Sequence, residues 1–475
     1  MSPQLITTTR AYLRQFKLLR TLMHALRTLS RAPRTRLAAY QQRMRDRHRR
    51  RAELQQQRSA ATRFQYQQVL SLLTAAHNSD FGELRSTIES VRSQTYPKWQ
   101  LCIVCDGSLP PAVVAALNRY AAKDARIKVT HGTECSGKSA ALANHALRST
   151  SGEFVGLLAA GDQLAPEALY AVVMLLNQQP AADMIYTDED EVGADGMSCR
   201  RVLKPDWSPE HFLAGMYTGS MSLYRRALVT EVGGFREEME GAHEYDLALR
   251  IVERSKHIHH VARVLHHRRG GRSAAGAAAQ FTASGAAQRA VSEYLHRNRI
   301  AAICEAGVNG VQHRVRYRIA GQPLVSIIIP TAGYRRVVGE REVDLLVNCV
   351  QSVLGKTQYH NYEILCISDG DLQQETKQAI NDARVSIITF SKPFNFAEKI
   401  NFGARHARGE QFLFLNDDTE VISGEWLTAM LEFSQQQAIG AVGAKLYFPD
   451  GAIQHAGVVI PEGGPCHIFY EYPKE

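Results

Sequence analysis

The sequence predicts an α/β protein in which two similar domains each contain a largely parallel sheet covered by helices. Strand-like and helix-like segments alternate after residue 66, and this alternation is typical of parallel sheets with helical connections. The alternation runs twice, and several strand-like segments end at acidic residues. Because open α/β sheets bind ligands at the carboxyl ends of their strands, these acids are the first candidates for a functional site.

An internal repeat defines the two domains. The matching segments are 71–78 with 326–331, 90–95 with 352–357, 101–108 with 364–371, and 144–153 with 401–410. We therefore expect a basic helical arm at 1–66, a first domain at 67–269, a linker with one helix at 270–323, and a second domain at 324–475. The second copy has no counterpart of the residues after about Tyr217, so we expect it to be C-terminally incomplete.

The positive charge of the chain is concentrated in the arm. Residues 1–63 contain sixteen Arg or Lys and two acidic residues, a net +14, whereas the whole chain carries +9. Apolar residues at helical spacing, from Tyr12 to Leu26, predict a basic amphipathic helix that could lie on an anionic membrane surface. Packing against the body or a partner helix, as in a homo-oligomer, is the alternative. Nucleic acid is disfavoured because the arm lacks a recognisable nucleic-acid module.

Composition is that of a soluble globular protein. The chain is 45% hydrophobic and 22% charged, and no apolar run reaches the ~18 residues of a membrane span. No signal peptide precedes the arm, and the eight cysteines are scattered rather than arranged as a disulfide framework. The Cys102/Cys105 pair lies in a strand-like run and indicates core packing. We therefore expect a cytoplasmic protein, peripheral at the inner face of the cytoplasmic membrane.

The most informative acidic motif is Asn416-Asp417-Asp418. It follows the apolar run Phe412–Leu415, which predicts a buried strand ending at these carboxylates. Aspartates held at a rigid strand end can bind Mg²⁺ or Mn²⁺, and the cation can hold a diphosphate. A solvated acidic turn is the alternative interpretation, since Asn and Asp are common turn residues.

Two Asp-Gly pairs, Asp106-Gly107 and Asp369-Gly370, also follow strand-like runs. An aspartate there can accept hydrogen bonds from a base or ribose, and the glycine lets the backbone turn close to a ligand. A tight turn without a ligand is the alternative.

Three further groups of residues stay open at the level of sequence. The acids of Thr187–Glu191 suit either a cation or sugar site or a solvated turn. Glu244 and Asp246 begin a helix, where a carboxylate either stabilises the helix dipole or removes a proton from an acceptor hydroxyl. His266 and His267 end a strand and could bind a metal, although isolated histidines are more often structural.

Residues 132–139 match the phosphate-loop pattern GxxxxGK[ST] between a strand and a helix. The matching part of the second copy, residues 394–399, has no such glycines. A duplicated domain is unlikely to depend on a phosphate loop in one copy only, so a P-loop phosphotransferase is the least favoured hypothesis.

Motifs in both copies carry a family resemblance. In the first copy they are the strand end at Asn78, IESVRSQTYPKWQL, CDGS, YTDEDEV, KPDWSPEHFL, EVGGF and HEYDLALR. In the second they are PLVSIIIPT, SVLGKT, YEIL, PFNF, ARGEQFLFLNDDTEV and GAVGAKLYFPDGAIQHAGVV. Together they resemble the inverting family 2 glycosyltransferases of the GT-A fold, especially tandem-domain members of bacterial O-antigen and surface-polysaccharide synthesis.

The resemblance implies hexosyl or deoxyhexosyl transfer, with inversion, from a nucleotide sugar to a glycan or lipid-linked glycan acceptor. Glu244, beside Asp246, would be the catalytic base, and Asp417 and Asp418 would bind Mg²⁺ or Mn²⁺ with His267 as a further metal ligand. The residues implied to contact the nucleotide sugar are Asn78, Asp106, Gly107, Asp162, Asp188, Asp190, Asp369, Gly370 and Asp417.

The chain departs from the family pattern in both copies. In the first, Ala159-Ala160-Gly161-Asp162 replaces the acidic metal motif, with Gly161 opposite Asp418, so a metal is expected in the second domain rather than the first. The second copy has no equivalent of the Glu244 segment. A non-catalytic module that binds a nucleotide sugar or glycan and scaffolds a partner transferase is therefore the alternative function.

Overall fold

The computed structural model describes residues 49–132, 135, 138–193, 198–219, 221–270, 285–307, 312–338, 340–370, 372–460 and 463–473. The chain forms two compact units: Met1–Tyr294 with Ala306–Arg314, and Leu295–Glu305 with Val315–Glu475. The domain boundaries drawn from the repeat remain a prediction. The apolar stripe and most of the arginines of the basic arm lie outside the described residues.

The first unit is a mixed α/β structure. Its strands are β1 (Leu70–Ala76), β2 (Trp99–Cys105), β3 (Ile127–His131), β4 (Phe154–Leu157), β5 (Gln163–Leu164), β6 (Met184–Val192), β7 (Ser198–Val202), β8 (Ser222–Arg225) and β9 (Ile258–Arg269). Its helices are α1 (residues 49–61), α2 (Phe81–Arg92), α3 (Pro111–Lys123), α4 (Ser139–Arg148), α5 (Ala168–Gln178), α6 (Pro209–Ala214), α7 (Arg226–Glu231) and α8 (His243–Val252).

These strands form one sheet in the order β3-β2-β1-β4-β8-β6-β9-β5, with β7 beside β6. The β3-β2-β1-β4 half is parallel, and β8 joins it to β6 by antiparallel pairing on both sides. Strands β1 and β2 are almost entirely buried, as expected for apolar strands covered on both faces. Cys102 and Cys105 lie in this core, and burial raises the pKa of the Cys105 thiol to about 11, which fits the packing role predicted for the pair.

The helix predicted in the linker is α9 (Ala286–Arg297), followed by β10 (Ala302–Ala306) and β11 (His313–Tyr317). The remaining strands are β12 (Val325–Thr331), β13 (Arg335–Val338), β14 (Arg341–Asp344), β15 (Tyr362–Ser368), β16 (Val385–Thr389), β17 (Gln411–Phe414), β18 (Leu446–Tyr447), β19 (Ile453–His455), β20 (Val458–Val459) and β21 (Cys466–His467). The remaining helices are α10 (Leu345–Lys356), α11 (Gln374–Ala379), α12 (Phe396–His406) and α13 (Trp426–Ser434).

The second unit repeats the parallel half of the first sheet. Its main sheet has the order β16-β15-β12-β17, with all neighbours parallel, which matches β3-β2-β1-β4. The register is the same as well: Thr331 lies opposite Ser368 as Ala76 lies opposite Cys105. The repeat in the sequence is therefore a repeat of structure over these four strands, whose residues can be matched one to one between the two sheets.

Strand β17 differs from the buried strand that its composition predicts. Leu413 is 7% exposed, but Phe412 and Phe414 are 50% and 57% exposed. The reason is its place in the sheet: β4 pairs with β1 on one side and β8 on the other, whereas β17 is the edge of its sheet within the described residues. The acidic motif therefore lies at the end of an edge strand rather than a buried one.

The described end of the arm packs on the first unit. Arg50 of α1 donates a hydrogen bond to Glu167, and Thr95 donates one to Gln57. Helix α1 thus belongs to the body, and the membrane-surface prediction concerns residues outside the described part. Among the described helices, none is both long and apolar enough to cross a bilayer.

Candidate functional site

Three parallel strands of the second unit bring polar side chains to one edge of the sheet. Thr331 ends β12, Asp369 follows β15, and Asp417 comes shortly after β17. The hydroxyl of Thr331 donates a hydrogen bond to Asp417 Oδ2 at 2.6 Å, so two of the three strand ends are in direct contact. The predicted nucleotide-contact and metal-binding aspartates therefore converge at the carboxyl edge, where open α/β sheets bind ligands.

Asp417 and Asp418 form the acidic part of this site. Asp417 is partly buried, and burial raises its pKa, with an added upward effect of the Asp418 charge; the Thr331 hydroxyl and the Lys399 charge oppose this shift. Asp418 is exposed. A carboxyl group whose pKa is raised by burial and by the charge of a neighbouring carboxylate lies in an environment that a cation would stabilise.

The donor atoms at this site fit Mg²⁺ or Mn²⁺. Both carboxylates supply the hard oxygen ligands that these cations prefer, and Asp418 is open to solvent. Among the described residues, no group of three or more His, Cys, Asp or Glu side chains could hold a metal by itself. The protein would thus supply only part of the coordination, as is usual when substrate phosphates and water complete an Mg²⁺ site.

Asp369 is held by a buried lysine that the sequence analysis missed. Lys399, on α12, is 1% exposed, and its ammonium group donates hydrogen bonds to Asp369 Oδ1 at 2.6 Å and to the carbonyl oxygen of Thr331 at 2.7 Å. The available signal was its helix face: Lys399 lies three and four residues before Phe402 and Gly403, which pack towards the core, and residues at this spacing are neighbours on a helix.

The two Asp-Gly pairs differ in their backbone. Gly107 has φ +93°, a conformation that favours glycine, as a turn close to a ligand requires. Gly370 is not among the glycines with positive φ, and a Cβ added there would meet open space. The sequence therefore overstated the need for glycine at Gly370.

Asp106 is held differently from Asp369. It accepts hydrogen bonds from the backbone N–H and hydroxyl of Ser108, at 3.0 and 2.6 Å, and pairs with His77. Burial acts to raise the pKa of Asp106, but these hydrogen bonds and the His77 charge lower it overall. Asn78 has φ +48° and donates its backbone N–H to Ser108. The predicted residues Asn78 and Asp106 thus lie close together, beyond the ends of the neighbouring strands β1 and β2.

Both carboxylate oxygens of Asp162, at the position where the first copy departs from the acidic metal motif, have protein partners. Its Oδ1 accepts the backbone N–H of Arg269 and its Oδ2 pairs with His266 Nε2, each at 3.1 Å. The counterpart of Asp418, Gly161, has φ +94°, and a Cβ there would lie 3.0 Å from Arg269 Cδ. The carboxylate is already engaged and its neighbour cannot readily be an aspartate, so these residues do not fit a divalent cation.

His266, rather than the predicted His267, is the histidine in contact with Asp162. His266 is buried, and although burial acts to lower its pKa, hydrogen bonds and charges from Asp162 and Glu189 raise it. His267 is partly exposed and its Nδ1 pairs with Asp190 Oδ1 at 2.7 Å. Because side chains alternate along β9, the two histidine rings lie on opposite faces of the strand. Their adjacent positions in the sequence could not show which of the two faces Asp162.

The acids of Thr187–Glu191 are part of β6 and not a solvated turn. Asp188 accepts hydrogen bonds from the backbone N–H of Lys204 and from His260, both at 2.9 Å. Glu189 pairs with Lys204 Nζ at 3.0 Å and with Arg268 at 3.1 Å. Because these carboxylates lie in a buried strand and have protein partners, the interpretation as a solvated turn is wrong. The ligand contacts of Asp188 and Asp190 stay a prediction.

Glu244 and Asp246 have contrasting surroundings although both lie in the first turn of α8. Asp246 is fully buried, and guanidinium groups of Arg236 and Arg250 donate to both of its oxygens. This pairing makes Asp246 a structural residue and argues against the predicted catalytic role.

Burial, and to a smaller extent the charges of Asp162 and Glu189, raise the pKa of Glu244, while His266 acts in the opposite direction; the net pKa is about 7. A carboxyl group that titrates near neutral pH can exchange protons with a substrate hydroxyl. Of the two predicted catalytic carboxylates, Glu244 is the one whose environment suits a general base.

The phosphate-loop pattern does not form an open anion site in its described part. The backbone N–H groups of Ser139 and Ala140, at the N-terminus of α4, donate to the carboxylate of Glu240 at 3.0 and 3.2 Å. Lys138 lies 3.7 Å from Glu237. The helix terminus and the lysine are thus matched with the protein's own carboxylates. Thr133, Glu134, Ser136 and Gly137 lie outside the described residues.

Comparison with known proteins gives the chain two matches to one family model. The model "Glycosyl transferase family 2" matches residues 71–233 and 326–456. These ranges contain the two parallel half-sheets described above.

Two relatives match most of this chain. Uncharacterized protein y4gI of Sinorhizobium fredii is 38% identical over 424 residues, 87% of this chain and 46% of that protein. The O-antigen biosynthesis protein RfbC of Myxococcus xanthus is 36% identical over 421 residues, 87% of this chain and 32% of that protein. The chain thus spans less than half the length of either relative.

Solved structures show weaker similarity. S. aureus TarS 1–349 in complex with UDP has a TM-score of 0.37 and 17% identity, covering 48% of this chain and 71% of that chain. Mannosyltransferase PcManGT from Pyrobaculum calidifontis, with GDP-Man and Mn²⁺, has a TM-score of 0.36 and 17% identity, covering 50% of this chain and 65% of that chain. Since the family model matches both copies of the repeat and more than half of the chain, the protein belongs to glycosyl transferase family 2.

Proposed function

We propose that the chain takes part in transferring a hexosyl or deoxyhexosyl group, with inversion, from a nucleotide sugar to a glycan acceptor in bacterial surface-polysaccharide synthesis. The name of the Myxococcus relative, an O-antigen biosynthesis protein, supports the pathway. The observation that carries the proposal is the convergence of Asp369, Asp417 and Asp418 at the carboxyl edge of the second sheet.

Each of these residues has a distinct task in the proposed site. Asp369 would accept hydrogen bonds from the nucleoside, and Asp417 and Asp418 would hold Mg²⁺ or Mn²⁺. When bound there, the cation would neutralise the charge of the diphosphate leaving group. In the first unit, Glu244 is the carboxylate suited to accept a proton from an acceptor hydroxyl, because its pKa of about 7 balances proton affinity against ionisation.

A direct binding experiment tests the site. Titration calorimetry of the full chain with UDP, GDP and their sugar conjugates, with and without Mn²⁺, should detect Mn²⁺-dependent binding of at least one nucleotide. Asp417→Asn combined with Asp418→Asn should remove the Mn²⁺ dependence, because an amide is a much poorer ligand for a hard cation than a carboxylate. A double variant that binds as the wild type does would rule out this site.

A scaffold that binds a nucleotide sugar or glycan without turnover is the second candidate. It is favoured because the acidic motif and Glu244 belong to different units of the chain, and because Asp162 is engaged with His266. Assays of sugar transfer and nucleotide-sugar hydrolysis across the same panel separate the two functions. Binding without turnover of any donor, in the presence of a surface-glycan acceptor, would favour the scaffold.

A further inference from the structure

We infer that Lys399 and Thr331 are positioning residues that fix the nucleotide-contact aspartate and the metal-binding aspartate of the second unit relative to each other; this rests on the proposed function. Lys399 binds Asp369 and the carbonyl oxygen of Thr331, and the hydroxyl of Thr331 binds Asp417. One continuous set of hydrogen bonds therefore joins the ends of three strands.

Burial makes this arrangement rigid. Lys399 is 1% exposed, and an ammonium group without compensating partners at such a position would be strongly unfavourable. Its two acceptors lie at 2.6 and 2.7 Å, within the range of short, charge-assisted hydrogen bonds. If Asp369 moved away, the buried ammonium group of Lys399 would lose an acceptor, which is energetically unfavourable. The carboxylate is therefore held in one orientation before a nucleotide binds.

Thr331 connects the two aspartates. Its hydroxyl donates to Asp417 Oδ2 and accepts the backbone N–H of Gly333 at 3.0 Å, which fixes the direction of the O–H bond. This hydrogen bond fixes the orientation of the Asp417 carboxylate. The Lys399 charge also acts on Asp417 by lowering its pKa, against the effects of burial and Asp418.

The first unit shows that the fold does not require these contacts. By the shared sheet register, Thr331 corresponds to Ala76, and by the matching helix starts Lys399 corresponds to Leu142, which is fully buried. Asp106, the counterpart of Asp369, uses His77 and Ser108 instead. The copy that lacks the lysine and threonine is also the copy whose acidic motif does not fit a cation. Their presence with Asp417 and Asp418 therefore points to a ligand-related task rather than to folding alone.

The two residues make different predictions for binding. Thr331→Val keeps the size and the backbone carbonyl but removes the hydroxyl, so it should release Asp417 alone. We expect the Mn²⁺ concentration for half-maximal nucleotide-diphosphate binding to rise about tenfold, the effect of losing one hydrogen bond to a charged group. Binding of the matching nucleoside monophosphate without metal should not change. Thr331→Ser, which keeps the hydroxyl, should behave as the wild type does.

Lys399→Met should weaken both kinds of binding by about tenfold or more, because it releases Asp369 as well. The control is Lys392→Met, which removes an exposed lysine that pairs with Glu398 on the surface. Calorimetry gives the two affinities, and circular dichroism with thermal denaturation checks folding of each variant.

The outcomes separate the inference from the proposed function. If the wild type binds no nucleotide diphosphate with Mn²⁺, the proposed function fails first. Two results would contradict the positioning role while the proposed function stands. In the first, the wild type binds but Thr331→Val keeps the wild-type Mn²⁺ dependence. In the second, Thr331→Val weakens metal-free monophosphate binding as much as it weakens Mn²⁺-dependent binding. Should Lys399→Met fail to fold, the Thr331→Val and Thr331→Ser pair still decides the question.

Discussion

At the scale of single residues, the site is shaped by which carboxylates already have a protein partner. Asp246 has two arginines, Asp162 has His266 and the Arg269 backbone, and their negative charges are compensated within the fold. Within the described part of the chain, no arginine or lysine forms an ion pair with Glu244, and burial is the main reason that its pKa is raised to about 7. Glu244 and Asp246 are both carboxylates and lie two positions apart in α8, but only the charge of Asp246 is compensated by arginines.

The raised pKa of Glu244 predicts a pH-dependent stability. Because folding favours its protonated form, the wild type should lose stability as pH rises from the ordinary value of 4.5 through about 7. Glu244→Gln removes this ionisation, so at pH 8 the variant should unfold at a higher urea concentration than the wild type. The maximum gain is on the order of 3 kcal/mol, and it should disappear at pH 4.5 and below.

Urea unfolding at pH 4.5 and pH 8 measures this difference. A gain that is the same at both pH values would show that ionisation of Glu244 is not its cause. Asp246→Asn provides the contrast, since it leaves Arg236 and Arg250 without their carboxylate and should destabilise the protein by about 3–5 kcal/mol.

At the scale of elements, the two copies share a close contact just before the fourth strand of the repeat, which is β4 in the first copy and β17 in the second. The N–H of Gly152 donates to Ser71 Oγ at 3.0 Å, and the N–H of Gly409 donates to Ser326 Oγ at 2.8 Å. A Cβ on Gly409 would lie 2.5 Å from the carbonyl oxygen of Leu324. Glycine is thus required by the approach of two backbones, which sets the position of β17 and the acidic motif beyond it.

Gly409→Ala should therefore destabilise the second unit. The added methyl group meets backbone rather than a flexible side chain, so β17 must shift away from β12, at a cost of about 1–3 kcal/mol. Chemical denaturation measures this cost, and Mn²⁺-dependent nucleotide binding should weaken with it.

The matched control is Gly440→Ala, because a Cβ at Gly440 would meet no atom within 4 Å and that residue has no positive φ. Equal effects of the two alanines would mean that the close approach of β12 and β17 is not what requires glycine.

At the scale of the whole molecule, one repeat has given two units with different polar sites. The first has Glu244 and a network of paired carboxylates, and the second has Asp369, Asp417 and Asp418 joined through Lys399 and Thr331. If ligand binding follows this division, a metal-bound nucleotide should contact one copy of the repeat only.

Hydrogen–deuterium exchange of the full chain tests that division. With Mn²⁺ and the nucleotide that binds most tightly, added protection should appear in residues 331–334, 366–370, 396–401 and 415–419, because bound ligand suppresses local opening. The matching segments 76–79, 103–107, 139–144 and 158–162 should be unchanged. Protection of residues 415–419 to the same extent without metal, or of both sets of segments equally, would contradict the assignment.

Much of the architecture could be predicted because apolar periodicity is visible within short segments and the duplication is visible when the two halves of the sequence are compared. The strand ends at Asp369 and Asp417 could be located from apolar runs that stop at acids, and the repeat gave the same strand order twice. The α/β class and the family followed from these patterns.

The tertiary structure alone decided which side chains meet. No sequence spacing joins Lys399 to Asp369 or Asp162 to His266, since these contacts depend on how strands and helices far apart in the chain pack. The choice of Glu244 over Asp246, and the exposure of Phe412 and Phe414 on an edge strand, have the same origin. Sequence determined which residues could carry charge and where the strands end, while burial and partner distance determined which of those charges are available for chemistry.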